Sequence, residues 1–209
     1  MTTRRSDSDS LRERWIDLYY DLIALIMANL LWFLLTLPVV TALPALGALF
    51  YVTNRLAHGN GADWRTFVEG FRALFWLSWR WGLVALLILG ILGGNVWFYA
   101  RTDAGWAFWA LMGALSLLGF SGVLLLFMFP LLLEQADRRL SVAARNSLVM
   151  LIRRPLYSLG VGASIMIVFL LSVYIMPPLW IFLSASLITY FANRAVVESI
   201  AVIAGEQHP

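Results

Sequence analysis

Few side chains in this chain can exchange protons, attack a substrate or bind a metal. Cysteine and lysine are absent, and histidine occurs only at His58 and His208, neither within a cluster of ligands. Disulfides, thiolate metal sites and cysteine nucleophiles are thereby excluded. Glu134 and Asp137 form the close acidic pair outside the N-terminal tail, and they stand among arginines. They read as the solvated mouth of a helix. There is no HExxH, no P-loop and no glycine-rich nucleotide loop. The uncharged runs 22–54, 81–100, 106–133 and 155–193 hold no ionisable acid, base or histidine. Such a group inside a membrane is the usual mark of a proton relay, an ion site or an intramembrane catalyst. No catalytic residue, cofactor or metal is therefore expected, and neither is ion-coupled pumping.

What the apolar runs do contain is neutral and polar. Asn29, Asn95 and Asn193, with several serines and threonines, lie within them. Groups of this kind either hydrogen-bond between helices or line a polar seam for a small uncharged solute. Gly90 and Gly94 form a small-xxx-small pair that permits close helix approach.

The elements that must position these residues follow from composition. Of 209 residues, 61% are hydrophobic and 13% charged, and the mean hydropathy is +0.81. Soluble domains carry about a quarter charged residues, so a soluble enzyme and a disordered chain are both excluded. The expected fold is all-α: a polytopic membrane helix bundle of five to six segments in three hairpins, with two amphipathic helices at the cytoplasmic interface. The net charge of +3 is wholly arginine in origin. Arginine on the cytoplasmic side of a membrane explains it. No basic stripe interleaved with exposed aromatics indicates nucleic acid.

Residues 1–21 are polar, then amphipathic, and are read as a cytoplasmic N-terminus. The apolar stretch that follows is far longer than the 7–15 residues of a signal-peptide core, so it is read as retained. The uncharged run 22–54 is about 33 residues, roughly 50 Å of helix. That is too long for one span and too short for two ordinary ones. Pro38 and Pro44 break it. The spacing predicts membrane segments at 22–37 and 44–56, with a turn between them and Thr41 capping a helix that opens at Pro44. Asp63 is the expected N-cap of an interfacial helix at 64–75. Further segments are expected at 81–100, 106–133, 156–176 and 179–193, the last pair closing at Pro177-Pro178 and ending before Arg194 and Glu198. A second interfacial helix is expected at 140–152, and 204–209 is a tail. All of 22–203 is one membrane domain.

Arginine placement sets the orientation. The block 134–154 contains Arg138, Arg139, Arg145, Arg153 and Arg154 and should be cytoplasmic. Both termini then fall inside, and Arg101 alone falls outside. These arginines are candidates for docking a partner or binding anionic lipid headgroups. An amphipathic basic helix followed by a span, a short turn and another span occurs twice, from 64 and from 140, with slight residue identity. Two entry helices for two hairpins explain this echo as well as a true repeat does.

One stretch goes further. Asn29-Leu30-Leu31-Trp32, Leu37-Pro38-Val39-Val40-Thr41, Pro44-Ala45 and Ala48-Leu49-Phe50-Tyr51-Val52 resemble the opening of the YesL-like family of bacterial membrane proteins (domain of unknown function 624). Phe67, Gly70-Phe71 and Phe75 resemble its next block, and Asn146-Ser147-Leu148 before Pro155 a later one. Members are often encoded beside carbohydrate-uptake and polysaccharide-degradation systems. The resemblance implies an auxiliary or scaffold role beside a carbohydrate importer of the ABC type in the bacterial cytoplasmic membrane, with other transport subunits as partners. No functional residue of the family is established, so none is carried over. Glu134-Gln135-Ala136 followed by a helix and Pro155 also resembles the coupling loop of ABC importer permeases, but the Asp-Gly pair of that loop is missing. The chain is therefore not read as a permease subunit. The alternative function is a small facilitator or channel for an uncharged solute.

Overall fold

The computed structural model describes residues 3–175, 178 and 180–206. Met176, Pro177 and Leu179 of the expected closing turn lie outside the described residues, as do residues 1–2, His208 and its two neighbours, and the side chains of Arg4, Arg5, Arg12 and Arg14. The described residues form eight α-helices: α1 (Thr3–Thr36), α2 (Val39–Ala57), α3 (Trp64–Ala73), α4 (Phe75–Tyr99), α5 (Ala107–Leu133), α6 (Leu140–Arg153), α7 (Pro155–Leu170) and α8 (Ala185–Glu206). Two π-helical turns, π1 (Leu171–Ile175) and π2 (Trp180–Ser184), follow α7 and precede α8.

Five helical stretches are long and apolar enough to cross a bilayer: Leu18–Thr36, Val39–Ala57, Phe75–Tyr99, Ala107–Leu133 and Trp180–Ile203. α6 and α7, bent by 106° at their junction, are together long and apolar enough for a sixth candidate, as a broken span or a re-entrant loop. The chain is a multi-pass membrane protein.

The first hairpin turns at Pro38, not across 38–44. Proline disfavours helix in the residue before it, so α1 stops at Thr36. The Thr41 hydroxyl lies 2.6 Å from the Leu35 carbonyl and 2.9 Å from that of Pro38. It thus closes the end of α1, where carbonyls lack intrahelical donors, and does not cap a helix at Pro44. α2 opens at Val39 and takes Pro44 into its interior. One backbone donor is lost near the helix start, and the ring is fully buried in return. Ala24 and Ala28 of α1 pack with Ala45 and Ala48 of α2 in one buried cluster. Their short side chains let the two backbones come close.

α3 begins as expected. Asp63 accepts from the Thr66 backbone N–H at 2.9 Å, and the Thr66 hydroxyl accepts from the Asp63 N–H at 3.3 Å. Phe67 is buried beneath the helix. A Cβ on Gly70 would stand 2.7 Å from the Tyr51 ring, so only glycine lets α3 lie this close to α2. Leu74 interrupts the helix, and α4 starts at Phe75, earlier than the expected 81. Residues 75–80 are helical and continue into the span.

The closing segment also departs from expectation. The helix does not end near Asn193 but runs on to Glu206, so Arg194 and Glu198 lie inside it. The two charges do not terminate the helix because they neutralise each other: Arg194 Nε donates to Glu198 Oε1 at 2.7 Å. The final span, Trp180–Ile203, is therefore of full length and holds ionisable groups.

Contacts gather the charged residues at one end of the bundle. There the end of α2, the end of α5, the start of α7 and the second half of α8 meet through Asn54–Glu134 and Tyr157–Glu198 hydrogen bonds. The α4–α5 turn at the other end holds Arg101, whose guanidinium sits 4.2 Å from the centre of the Trp97 ring.

Candidate functional site

The polar end is built around Asn193. Its Nδ2 donates to the Phe50 carbonyl (3.1 Å), the Thr53 hydroxyl (2.9 Å) and the Thr189 carbonyl (3.0 Å). Its Oδ1 accepts from Asn54 Nδ2 at 3.2 Å, and Asn54 Nδ2 also donates to Glu134 Oε1 at 2.7 Å. His58 Nε2 lies 3.6 Å from the same Glu134 oxygen. Three spans, α2, α5 and α8, are thus tied by one network. Glu134 faces an asparagine and a histidine and forms no ion pair with arginine among the described residues, while Asp137 pairs with Arg139 at 3.2 Å. Both acids are exposed at the end of α5, a solvated helix mouth, but they engage different partners.

A second network lies towards the other end. Asn29 Nδ2 donates to the carbonyls of Trp180 (2.9 Å) and Ile181 (2.7 Å), and its Oδ1 accepts from the Ser186 N–H at 2.8 Å. The amide side chain satisfies backbone groups that π2 leaves out of α-helical pairing. Ser172 and Ser184 hydroxyls meet across the same region at 2.5 Å.

Asn95 joins neither network. Its Nδ2 donates to Ile91 of its own helix at 2.9 Å. The three asparagines are therefore not brought together. Asn29 and Asn193 are fully buried, with their amides occupied by the protein's own groups.

Gly90 and Gly94 touch nothing: a Cβ on either would find no heavy atom within 4 Å. The close approaches within the chain are at other glycines. Gly47 abuts Ser78, Gly70 abuts Tyr51, and a Cβ on Gly82 would stand 2.5 Å from Leu43. The spaced pair at 90 and 94 lies on the outside of α4.

The five arginines of the α5–α6 region do not form one patch. Arg138 adopts a left-handed backbone, φ 46°, in the turn before α6. Arg139 pairs with Asp137, Arg145 is exposed, Arg154 lies 4.8 Å from the centre of the Tyr157 ring, and Arg153 lines a cavity. Among the described residues no group of three acids or histidines gathers that could hold a metal. Outside the spans, Asp63 is held below the usual carboxylate range, chiefly by the hydrogen bond from the Thr66 backbone N–H.

Residues 25–96 match the family model described as "Protein of unknown function, DUF624". These residues form a DUF624 family domain. The DUF624 segment runs from α1 through α2 and α3 into α4, and so includes Asn29, the Pro38 turn and the Gly90–Gly94 pair. No curated protein and no solved structure matches the chain significantly.

Sequence reasoning missed Asn54, Gln135, Tyr157 and Ser199. Asn54 and Tyr157 lie at span ends, where polar residues carry little signal. Gln135 and Ser199 lie 64 positions apart in chain numbering, about the separation that hides any tertiary contact from a local pattern.

Proposed function

We propose that the chain is a non-catalytic auxiliary or scaffold protein of the bacterial cytoplasmic membrane, acting by contact beside a carbohydrate-uptake system. The observation behind this reading is the outward face of α4. Gly47, Gly70 and Gly82 are used in packing inside the chain, whereas Gly90 and Gly94 stand open on a membrane helix. A small-residue face of this kind suits a partner helix at close range. The occupied amides of Asn29 and Asn193 favour contact over solute passage, because a polar seam needs groups free to meet the solute. The family resemblance brings the uptake system into the reading. The clustering of arginine at one end favours a cytoplasmic placement for that end, and six crossings would return both termini to it.

The test is purification in a mild detergent with mass spectrometry of what comes along. Subunits of a carbohydrate importer should be enriched with the natural chain and depleted with Gly94→Leu. Flux of a neutral solute through liposomes holding the purified protein alone would overturn the contact reading and favour the facilitator.

A further inference from the structure

A cavity of about 370 Å³ opens at the polar end, between the end of α5, the second half of α6 and the last turns of α8. Its polar lining is Glu134, Gln135, Asn146, Arg153 and Ser199, set against apolar side chains such as Ile200. The volume falls within the range of small-ligand sites.

Two buried polar atoms in this lining lack partners. The Ser199 side chain is 1% exposed, and its hydroxyl makes no hydrogen bond. Gln135 Nε2 is buried and unpaired as well. The Gln135 side chain is not free to turn away, because its Oε1 accepts from the Arg139 backbone N–H at 3.2 Å. Buried polar groups are nearly always paired, so two such groups in one cavity indicate an occupant with acceptor oxygens. Arg153, in no ion pair among the described residues, adds a cation. Glu134 adds a carboxylate from a different helix; Asn54 and His58 engage its Oε1, and among the described residues no hydrogen bond or ion pair engages Oε2.

We propose that this cavity binds the headgroup of an aminophospholipid, a phosphate diester with a primary ammonium. The phosphate oxygens would meet Arg153, Gln135 Nε2 and the Ser199 hydroxyl, which are all donors. The ammonium would meet Glu134. Position selects a lipid: α5 ends at Leu133 and the last span at Ile203, so the cavity lies where spans end and headgroups begin. Charge selects the class: a headgroup with net negative charge and no ammonium would bring its phosphate near Glu134 without compensation. This site does not depend on the contact function proposed above.

The experiment is native mass spectrometry of the full chain in detergent with equal amounts of phosphatidylethanolamine and phosphatidylglycerol. The natural chain should retain the former about threefold to fivefold better, the factor expected of a partly exposed charge pair. Glu134→Gln, which keeps an acceptor for Asn54, should bring the ratio to about one. Arg153→Gln, at an exposed position, should lower retention of both lipids while leaving gel-filtration behaviour unchanged. Equal retention of the two lipids by the natural chain, or unchanged retention by Arg153→Gln, would overturn the proposal. Displacement of bound lipid by an equal amount of soluble glycerophosphoethanolamine would also overturn the lipid assignment and point to a soluble ligand of the same chemistry.

Discussion

The side-chain amide of Asn29 donates to the backbone carbonyl of Trp180 at 2.9 Å, joining the first span to the last across 151 positions of sequence. The Trp32 and Trp180 rings meet edge-to-face beside it, 6.1 Å apart. The bond closes the bundle where π2 interrupts regular helix. Its residues would otherwise face hydrocarbon, where unpaired backbone groups are costly.

Asn29→Leu should therefore destabilise the fold. It removes three hydrogen bonds to backbone groups of the last span. Interhelical bonds in membranes average about 0.6 kcal/mol each, with a maximum near 2, so a loss of about 2 kcal/mol is expected. Asn95→Leu breaks only a bond within its own helix and should cost less than about 0.5 kcal/mol. Reversible unfolding in mixed micelles measures both. Equal effects would mean that Asn29 is not a structural staple.

Glycine substitutions should divide by place. Gly70→Leu drives a side chain into Tyr51, and Gly82→Leu drives one into Leu43. Overpacking of this kind costs about 1–3 kcal/mol. Gly94→Leu meets open space and should leave the melting temperature of the isolated protein unchanged. A large loss at Gly94 would show that the outward face of α4 is wrongly assigned.

The charged pair in α8 makes a different prediction. Glu198 accepts from Arg194 at 2.7 Å and from the Tyr157 hydroxyl at 2.8 Å. Glu198→Leu leaves Arg194 unpaired within a span, and removing one partner is worse than removing both. The double variant Arg194→Leu, Glu198→Leu should therefore be more stable than Glu198→Leu alone. The reverse order in thermal unfolding would contradict a neutralising role.

Acid should loosen α3. Asp63 has a carboxyl pKa below its ordinary value because the ionised form accepts from Thr66. A lowered folded pKa adds stability above the ordinary carboxylate range, and that stability is lost as pH falls through the lowered value. Amide exchange in α3 should quicken at the acid end of that window. Asn is as good an N-cap as Asp, so Asp63→Asn should keep the helix and remove the pH dependence. An unchanged acid response in that variant would assign it to another group.

Much of the fold was legible from local pattern. Runs of uncharged residues marked the spans, Asp63 marked the start of α3, and the apolar face of 140–152 marked α6, which stands at 106° to α7. What was not legible depends on neighbours distant in sequence. Pro44 stays helical because its ring is buried against other helices. Arg194 and Glu198 stay helical because each has the other, with Tyr157 beside them. The spacing of Gly90 and Gly94 marks a face that permits close approach, but nothing local marks Gly47, where Ser78 of another helix comes near. The cavity at Ser199 has no local signature, since its walls come from three helices.

Action by contact through α4 is tested most directly by a photo-crosslinking residue placed at Ile91, one position from Gly90 on that helix. The control is Leu117 of α5, also exposed. In living cells, the account predicts a discrete protein adduct from position 91, identifiable by mass spectrometry as a membrane transport subunit, and lipid adducts alone from position 117. Lipid adducts alone from both positions would contradict it.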